Sequence, residues 1–309
     1  MVLEDSFGRP LLNLRIAVTK RCNLRCPYCH GEGEQENGKT PSGEMTAEEI
    51  VRTAKIAADL GILRVKLTGG EPLMRRDILE IVGGISAIRG LKDFSMTTNG
   101  SLLAPQAEEL RAKGLQRLNV SLPTLEDEVY AKLTGGRVSD VMDGIREAIK
   151  VGFSPVKLNT LVLKGVNDLN VPDMIEYAGK TGAILQLIEL EPVNVSADYF
   201  SLFHESLDKY EAMVAGEAAS FEARKFMQNR RVYNLPHARV EIVRPLENTE
   251  FCMHCTRLRV TSDGMLKPCF MRNDDLVDLL TPMRAGTDDQ QLSDLFVLAN
   301  SRRRPHNQG

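Results

Sequence analysis

The segment LRIAVTKRCNLRCPYCH, residues 14–30, decides the fold. Its first six residues are rich in branched side chains and stop at a polar run, which predicts a strand. Three cysteines, Cys22, Cys26 and Cys29, follow at once. The same order, a short apolar run closed by polar or glycine residues, returns along the chain. ILRVKLTGG (62–70), DFSMTTNG (93–100), QRLNVSL (116–122), VKLNTLVL (156–163) and AILQLIEL (183–190) read as further strands. Residues 46–60, 77–89, 105–113, 138–151 and 171–181 read as the helices between them. Thr46 ahead of Ala47-Glu48-Glu49 is a capping box, and Ser139 and Pro172 are start signals. Six β-α units with short links predict a parallel α/β sheet, either doubly wound or curled into a barrel. Both arrangements place the active edge at the C-terminal ends of the strands. There the cysteines would meet Gly69-Gly70-Glu71-Pro72, Thr97-Thr98-Asn99-Gly100, Ser121 and Glu189-Leu190-Glu191-Pro192.

Residues 1–195 therefore read as a core and 196–309 as an extension. Residues 198–235 read as mixed and more helical, with an amphipathic candidate at 199–214, and a last helix is expected near 288–302. GEGEQENGKTPSG (31–43) reads as a mobile loop. A net charge of −3, no Trp and 5% aromatic residues argue against a nucleic-acid polymer as the main partner. No apolar run approaches 18 residues, so no membrane span is expected. The opening MVLEDSFGRP has no apolar signal region, so a cytoplasmic, reducing location is expected. Cysteines there hold metal more often than disulfides.

The six cysteines form two triads, Cys22-Cys26-Cys29 and Cys252-Cys255-Cys269. Three thiolates can hold a [4Fe-4S] cube by three irons and leave the fourth open to a ligand. Zinc sites completed by His30 or His254 use the same thiols. Arg257-x-Arg259 on a strand puts two guanidiniums on one face, which suits a phosphate. Without the cysteines they would read as surface arginines. GGEP alone reads as a turn, Ser121 as a strand-end hydroxyl, and Lys157 as a solvated strand end.

CxxxCxΦC, with Tyr28 as Φ, resembles the signature of the radical S-adenosylmethionine (SAM) superfamily, and GGEP resembles its SAM amino-group motif. Over nearly the whole chain the sequence is similar to the GTP 3',8-cyclases that open molybdenum-cofactor biosynthesis. FGRPLLNLRIAVTKRCNLRCPYCH, LTGGEPLMRRD, TTNG, NVSL, LKGVND, IELEP and the second triad with its arginine pair carry that resemblance. It implies an incomplete (β/α)6 TIM-like barrel with a C-terminal α+β extension carrying a second iron–sulfur cluster. Cys22, Cys26 and Cys29 would hold one [4Fe-4S] cluster, and Cys252, Cys255 and Cys269 the other. S-adenosyl-L-methionine would lie against Tyr28, Gly69, Gly70, Glu71, Ser121 and Glu191. GTP would be held by Arg15, Lys66, Lys157, Arg257 and Arg259, assisted by Arg64 and Thr97, with Leu258 in the same stretch.

The implied reaction removes the C3' hydrogen of GTP and joins C3' to guanine C8, giving 3',8-cyclo-7,8-dihydro-GTP. Implied partners are a flavodoxin- or ferredoxin-like electron donor and a downstream pyranopterin-forming enzyme; a homodimer is left open. A peptide maturase of the same superfamily would share the first triad but usually carries more cysteines in its C-terminal extension. A zinc-stabilised binding protein would leave GGEP without a role. The chain also departs from the common bacterial pattern. Gln186 replaces Arg, Glu191 replaces Met, Pro123-Thr124 replaces Asp-Ser, and RRRPHNQG stands where those cyclases carry paired glycines. Arg302-Arg303-Arg304 reads as a solvated helix end, or as a reach toward the nucleotide.

Overall fold

The six expected strands form and pair in parallel: β1 (Asn13–Ala17), β2 (Arg64–Thr68), β3 (Asp93–Thr98), β4 (Arg117–Ser121), β5 (Val156–Leu161) and β6 (Ile184–Ile188). The structure, a computed structural model, describes residues 2–34, 43–246 and 248–306. Most of the loop expected over 31–43 lies outside the described residues; its start forms a tight turn, Gly31–Gly33. The strands are linked through α1 (Ala47–Asp59), α2 (Ile78–Ser86), α3 (Ala107–Ala112), α4 (Asp127–Thr134), α5 (Val138–Lys150) and α6 (Val171–Thr181).

Local chemistry explains two of these helix starts. Thr46 and Glu49 satisfy each other's backbone N–H groups at the start of α1. Pro172 sits in the first turn of α6, where its missing N–H costs nothing. Ser139 does not cap α5, which begins one residue earlier behind Arg137. One further helix, α4, was not among those expected; no side chain caps its start, and it closes on a left-handed Gly135.

The stretch 198–243 differs most from expectation. The helical candidate splits into α7 (Ala197–Phe203) and α8 (Asp208–Glu217), with His204 extended between them. Three strands follow: β7 (Ser220–Arg224), β8 (Arg230–Asn234) and β9 (Arg239–Val243). Four of the five β7 residues are exposed, so burial leaves little alternation to read. After α9 (Thr249–Met253) come β10 (Arg257–Val260), β11 (Met265–Lys267) and β12 (Val277–Asp278). α10 (Leu280–Arg284) and α11 (Asp289–Ser301) end the described chain.

All twelve strands share one sheet, ordered β12-β11-β10-β1-β2-β3-β4-β5-β6-β9-β8-β7. The extension thus flanks the core on both sides: β10 pairs parallel with β1 and β9 parallel with β6. The sheet remains open, as expected for an incomplete barrel. Its curvature shows in side chains that meet across an intervening strand: Lys66 on β2 donates to Asn119 on β4 at 2.7 Å, and Asn119 to Gln186 on β6 at 2.8 Å.

The two faces of the sheet divide by chemistry. Leu14, Ile16, Val65, Leu67, Phe94, Met96, Leu118, Val120, Leu158, Leu185, Leu187, Leu258 and Val260 belong to the core under the helices. The residues that alternate with them along each strand point the other way and are mainly polar. Among the described residues no helix is long and apolar enough to cross a membrane.

The arginine run after α11 is not uniformly solvated. Arg303 is fully buried, donating to the carbonyls of Arg9 and Cys255 and to Asn300 Oδ1, and lies 3.5 Å from Asp5. It clasps the N-terminus and the second cysteine segment together. Arg303→Met is expected to destabilise the fold by about 3 kcal/mol, read by urea denaturation. Exposed Arg146→Met should stay within about 0.5 kcal/mol.

Candidate active site

Both cysteine triads open into one cavity of about 340 Å³ on the concave face of the sheet. Cys22, Cys26 and Cys29 line one part of it, and Cys252, Cys255 and Cys269 another. The first triad lies in the loop after β1, and the second brackets β10, the strand paired with β1. All six cysteines are free.

Each triad supplies the three thiol donors that a [4Fe-4S] cluster takes, although among the described residues no group of three or more His, Cys, Asp or Glu side chains is gathered as a site for a single metal ion. Cys22 Sγ accepts from Leu24 N–H at 3.4 Å and from Asn99 Nδ2 at 3.7 Å. Burial raises the Cys26 thiol to about 11 and also raises Cys29 and Cys269, so those thiols ionise when a metal takes them. Burial alone would raise Cys255 too, but Arg303 and Arg257 outweigh it and hold that thiol below its ordinary value. The histidines that could complete zinc sites are engaged elsewhere. His30 Nδ1 accepts from Glu32 N–H at 3.0 Å, and its ring meets Phe270 edge-on. His254 lies against Glu250 and is not part of the cavity wall.

GGEP acts on the chain itself. A Cβ on Gly70 would collide with the Arg21 carbonyl and one on Gly69 with the Thr19 carbonyl. The absent side chains let Gly70 N–H reach Thr19 O at 2.7 Å and Glu71 N–H reach Arg21 O at 2.8 Å. The pair thus packs closely on the backbone leading into the first triad. The Glu71 carboxylate is fully buried behind the wall, accepting from Leu73 N, Thr98 Oγ1 and Asn99 N. It fixes Asn99, which in turn donates to Cys22. Tyr28, Gly69, Gly70, Ser121 and Glu191 line the cavity.

The cations expected to hold substrate come together on the cavity floor. Arg259, Arg15 and Lys66 are register partners across β10, β1 and β2, and Arg257, Asn13 and Arg64 form the next row. Adjacent strands lie about 4.8 Å apart, so like charges in such rows repel by on the order of 3 kcal/mol at an effective dielectric of about 20. Burial and the neighbouring Arg15 push Arg257 well down; burial, with Arg15 and Arg117, does the same to Lys66. Burial lowers Arg15 to about 10 despite the nearby Glu32. An anion placed here would relieve all of these groups.

Thr97 also lines the cavity. Leu258 does not: strand alternation turns it into the hydrophobic core between the two arginines. Lys157 reaches the wall but is engaged by Glu241 of β9. Burial lowers that ammonium to about 8, while Lys157, Arg230 and Arg224 outweigh the burial of Glu241 and bring it to about 2. Gln186, noted in the sequence as a departure, joins Asn119, Glu241 and Arg230, which the sequence alone did not single out, in a buried polar network. Period-two alternation along Arg117-Leu118-Asn119-Val120-Ser121 could have pointed to Asn119; Arg230 and Glu241 required the β8–β9 hairpin. Glu32, 3.8 Å from Arg15 and 3.7 Å from Arg259, carried no recognisable signal.

Burial raises the Glu191 carboxyl from 4.5 to about 7, against the pull of Arg259 and Arg230. Its unfolded counterpart ionises near 4.5, so between pH 4.5 and 7 the folded chain holds the extra proton and loses stability as pH rises. The full penalty, on the order of 3 kcal/mol, is reached above pH 7. Glu191→Gln is therefore expected to raise the Tm of SAM-free protein at pH 8 and leave it nearly unchanged at pH 5, by calorimetry.

Comparison with known proteins agrees with this geometry. Residues 16–178 match the radical SAM superfamily, and residues 183–309 match the family Molybdenum Cofactor Synthesis C. A probable GTP 3',8-cyclase of Thermococcus kodakarensis is 47% identical over 99% of both chains. One of Methanocaldococcus jannaschii is 43% identical over 98% of this chain and 99% of the relative. Among solved structures, Streptococcus suis SuiB bound to S-adenosylmethionine superposes with a TM-score of 0.67 at 18% identity, covering 94% of this chain and 69% of SuiB. That likeness extends the shared fold across the cavity and the C-terminal strands. The chain belongs to the radical SAM superfamily and, within it, to the GTP 3',8-cyclase family.

Proposed function

We propose that the chain converts GTP to 3',8-cyclo-7,8-dihydro-GTP, the first step of molybdenum-cofactor biosynthesis. The observation that carries this reading is one cavity into which both cysteine triads and the rows of buried cations open. Cys22, Cys26 and Cys29 would hold the cluster that binds SAM, and Cys252, Cys255 and Cys269 the cluster that meets the purine. When bound, the first cluster supplies the electron that cleaves SAM, and the second offers an open iron to the base.

The chain's own residues bind and orient. Arg15, Lys66, Arg257 and Arg259 face the triphosphate, where guanidinium forks pair with phosphate oxygens. Arg64 and Thr97 extend that wall. Lys157 acts from behind, through the Glu241–Gln186–Asn119 network that ends on Lys66. Tyr28, Gly69, Gly70, Ser121 and Glu191 form the SAM side, with Glu71 bracing the loop. Closed in by the curved sheet, these groups hold C3' near guanine C8 and keep water from a reactive carbon. Residues 1–195 would serve mainly the SAM side and 196–309 the purine side. An external flavodoxin- or ferredoxin-like electron donor, a pyranopterin-forming enzyme acting on the product, and a homodimer belong to the same reading.

The test is an anaerobic reaction of reconstituted protein with SAM, GTP and dithionite, followed by mass spectrometry. 5'-Deoxyadenosine and cyclised GTP should appear together, and Cys252→Ala should lose the cyclised product by at least tenfold, on the order of 1.4 kcal/mol in barrier. 5'-Deoxyadenosine without cyclised GTP, from protein verified to carry both clusters, would overturn GTP as substrate. Absence of both would overturn the radical chemistry itself.

A further inference from the structure

Two carboxylates face the cation rows. Glu191 belongs to the SAM side, whereas Glu32 has no part in the reading above. Its presentation is built in detail. Gly31, Glu32 and Gly33 all have left-handed backbone, with φ of 53°, 54° and 73°, and a non-glycine residue rarely takes that conformation. Gly33 is required, since a Cβ there would lie 2.7 Å from the Phe270 carbonyl oxygen. Asn194 Nδ2 donates to the carbonyls of His30 and Glu34, each at 2.9 Å, and Ser262 donates twice to the Glu34 carboxylate. The turn is thus fastened at both ends, and its middle residue is driven into the cavity.

What Glu32 meets there is poorly matched to it. Its Oε2 lies 3.8 Å from Arg15 Nη1 and 3.7 Å from Arg259 Nε. Among the described residues neither Glu32 Oε2 nor Arg259 Nε has a hydrogen-bond partner, although both are buried. A carboxylate in a site made for it would close to about 2.8 Å. Arg259 is instead held by Phe270, its guanidinium 4.6 Å from the ring centroid. These cations stand ready for a larger anion than the carboxylate between them. Burial would raise the Glu32 carboxyl, but Arg15, His30 and Arg259 outweigh it, so the group is ionised at neutral pH.

We propose that Glu32 is an internal counter-ion holding the place of a substrate phosphate between Arg15 and Arg259, and that it makes the cavity select polyphosphate ligands. A ligand must bring enough charge to displace it, so weakly charged nucleosides do not complete the site. The inference rests on the nucleotide reading above.

Its test is calorimetric titration of protein carrying both clusters with inorganic triphosphate, GTP and guanosine, for the wild type and Glu32→Gln. The variant should bind triphosphate and GTP on the order of tenfold tighter, with guanosine unchanged. Unchanged or weaker triphosphate binding would show that Glu32 merely holds the arginines in place and would overturn the inference. If neither protein bound triphosphate or GTP, the nucleotide reading itself would fall, and the inference with it. Hydrogen exchange on the wild type gives a second readout that no variant can confound. Triphosphate should speed exchange of the Glu32 and Gly33 amides, which now donate to His30; unchanged or slower exchange would also overturn the inference.

Discussion

The parallel pairing of β10 with β1 is the contact on which the site depends. Register sets Arg259 beside Arg15 and Arg257 beside Asn13, and so carries the segment 252–269 from the far end of the chain to the first cysteine loop. Without that pairing the triads would belong to separate surfaces and the arginines to an unpaired edge. Arg303 reinforces it from outside, joining the carbonyls of Arg9 and Cys255 around the ends of the two strands. The cost of crowding cations along β10, β1 and β2 falls on the same contact. A strand pair that forces like charges together persists only where apolar burial on the opposite face outweighs the repulsion, and Leu14, Ile16, Leu258 and Val260 supply that burial.

Counter-charge inside the cavity is distributed rather than local. Glu241 faces Lys157, Arg224 and Arg230 on the β5–β9 side, whereas Glu32 and Glu191 face the arginines of β1 and β10. The two sides differ in quality. Glu241 accepts close hydrogen bonds from Lys157 and Gln186, so its charge is fully committed. Among the described residues Glu32 makes only long contacts, and burial raises Glu191 to about 7, so part of that carboxyl still holds its proton at neutral pH. Positive charge is therefore neutralised where the sheet needs it for stability and left under-compensated where a ligand would lie.

The sequence made the β-α core legible because each strand is a short apolar run with a clear stop, and the longer helices α1, α5 and α6 carry a full apolar stripe. It also placed the first cysteine triad, GGEP, Thr97-Thr98-Asn99-Gly100, Ser121 and Glu189-Leu190-Glu191-Pro192 on one rim, since strand polarity fixes which ends gather, but left the second triad and the arginine pair in the extension. What it could not show depends on distance along the chain. The hairpin 220–243 is mostly solvent-facing on β7 and lacks alternation, so Arg230 and Glu241 stayed hidden with it. Arg303 looked solvated because nothing local marks its partners, which lie 48 and 294 residues away. Leu258 was grouped with its arginine neighbours by adjacency, although alternation already assigns it to the other face. The Thr19 and Arg21 carbonyls that pack against the glycines of GGEP lie on another loop, so nothing within the motif itself marks them.

Gln186 shows how a departure from a family pattern becomes intelligible through its partners. An arginine there would bring another charge to Glu241, which already faces Lys157, Arg224 and Arg230. The amide can do what a guanidinium cannot, because it donates and accepts at once. Gln186 Nε2 donates to Glu241 at 2.7 Å, while its Oε1 accepts from Asn119, whose own oxygen accepts from Lys66. A guanidinium has no acceptor, so it would break this chain at its centre and leave Asn119 Nδ2 only its longer bond to Asn159 Oδ1, at 3.3 Å. The neutral amide thus ties Lys66, in the row with Arg15, to a carboxylate on the far strand, and sets where that ammonium stands without adding to the charge it must bear.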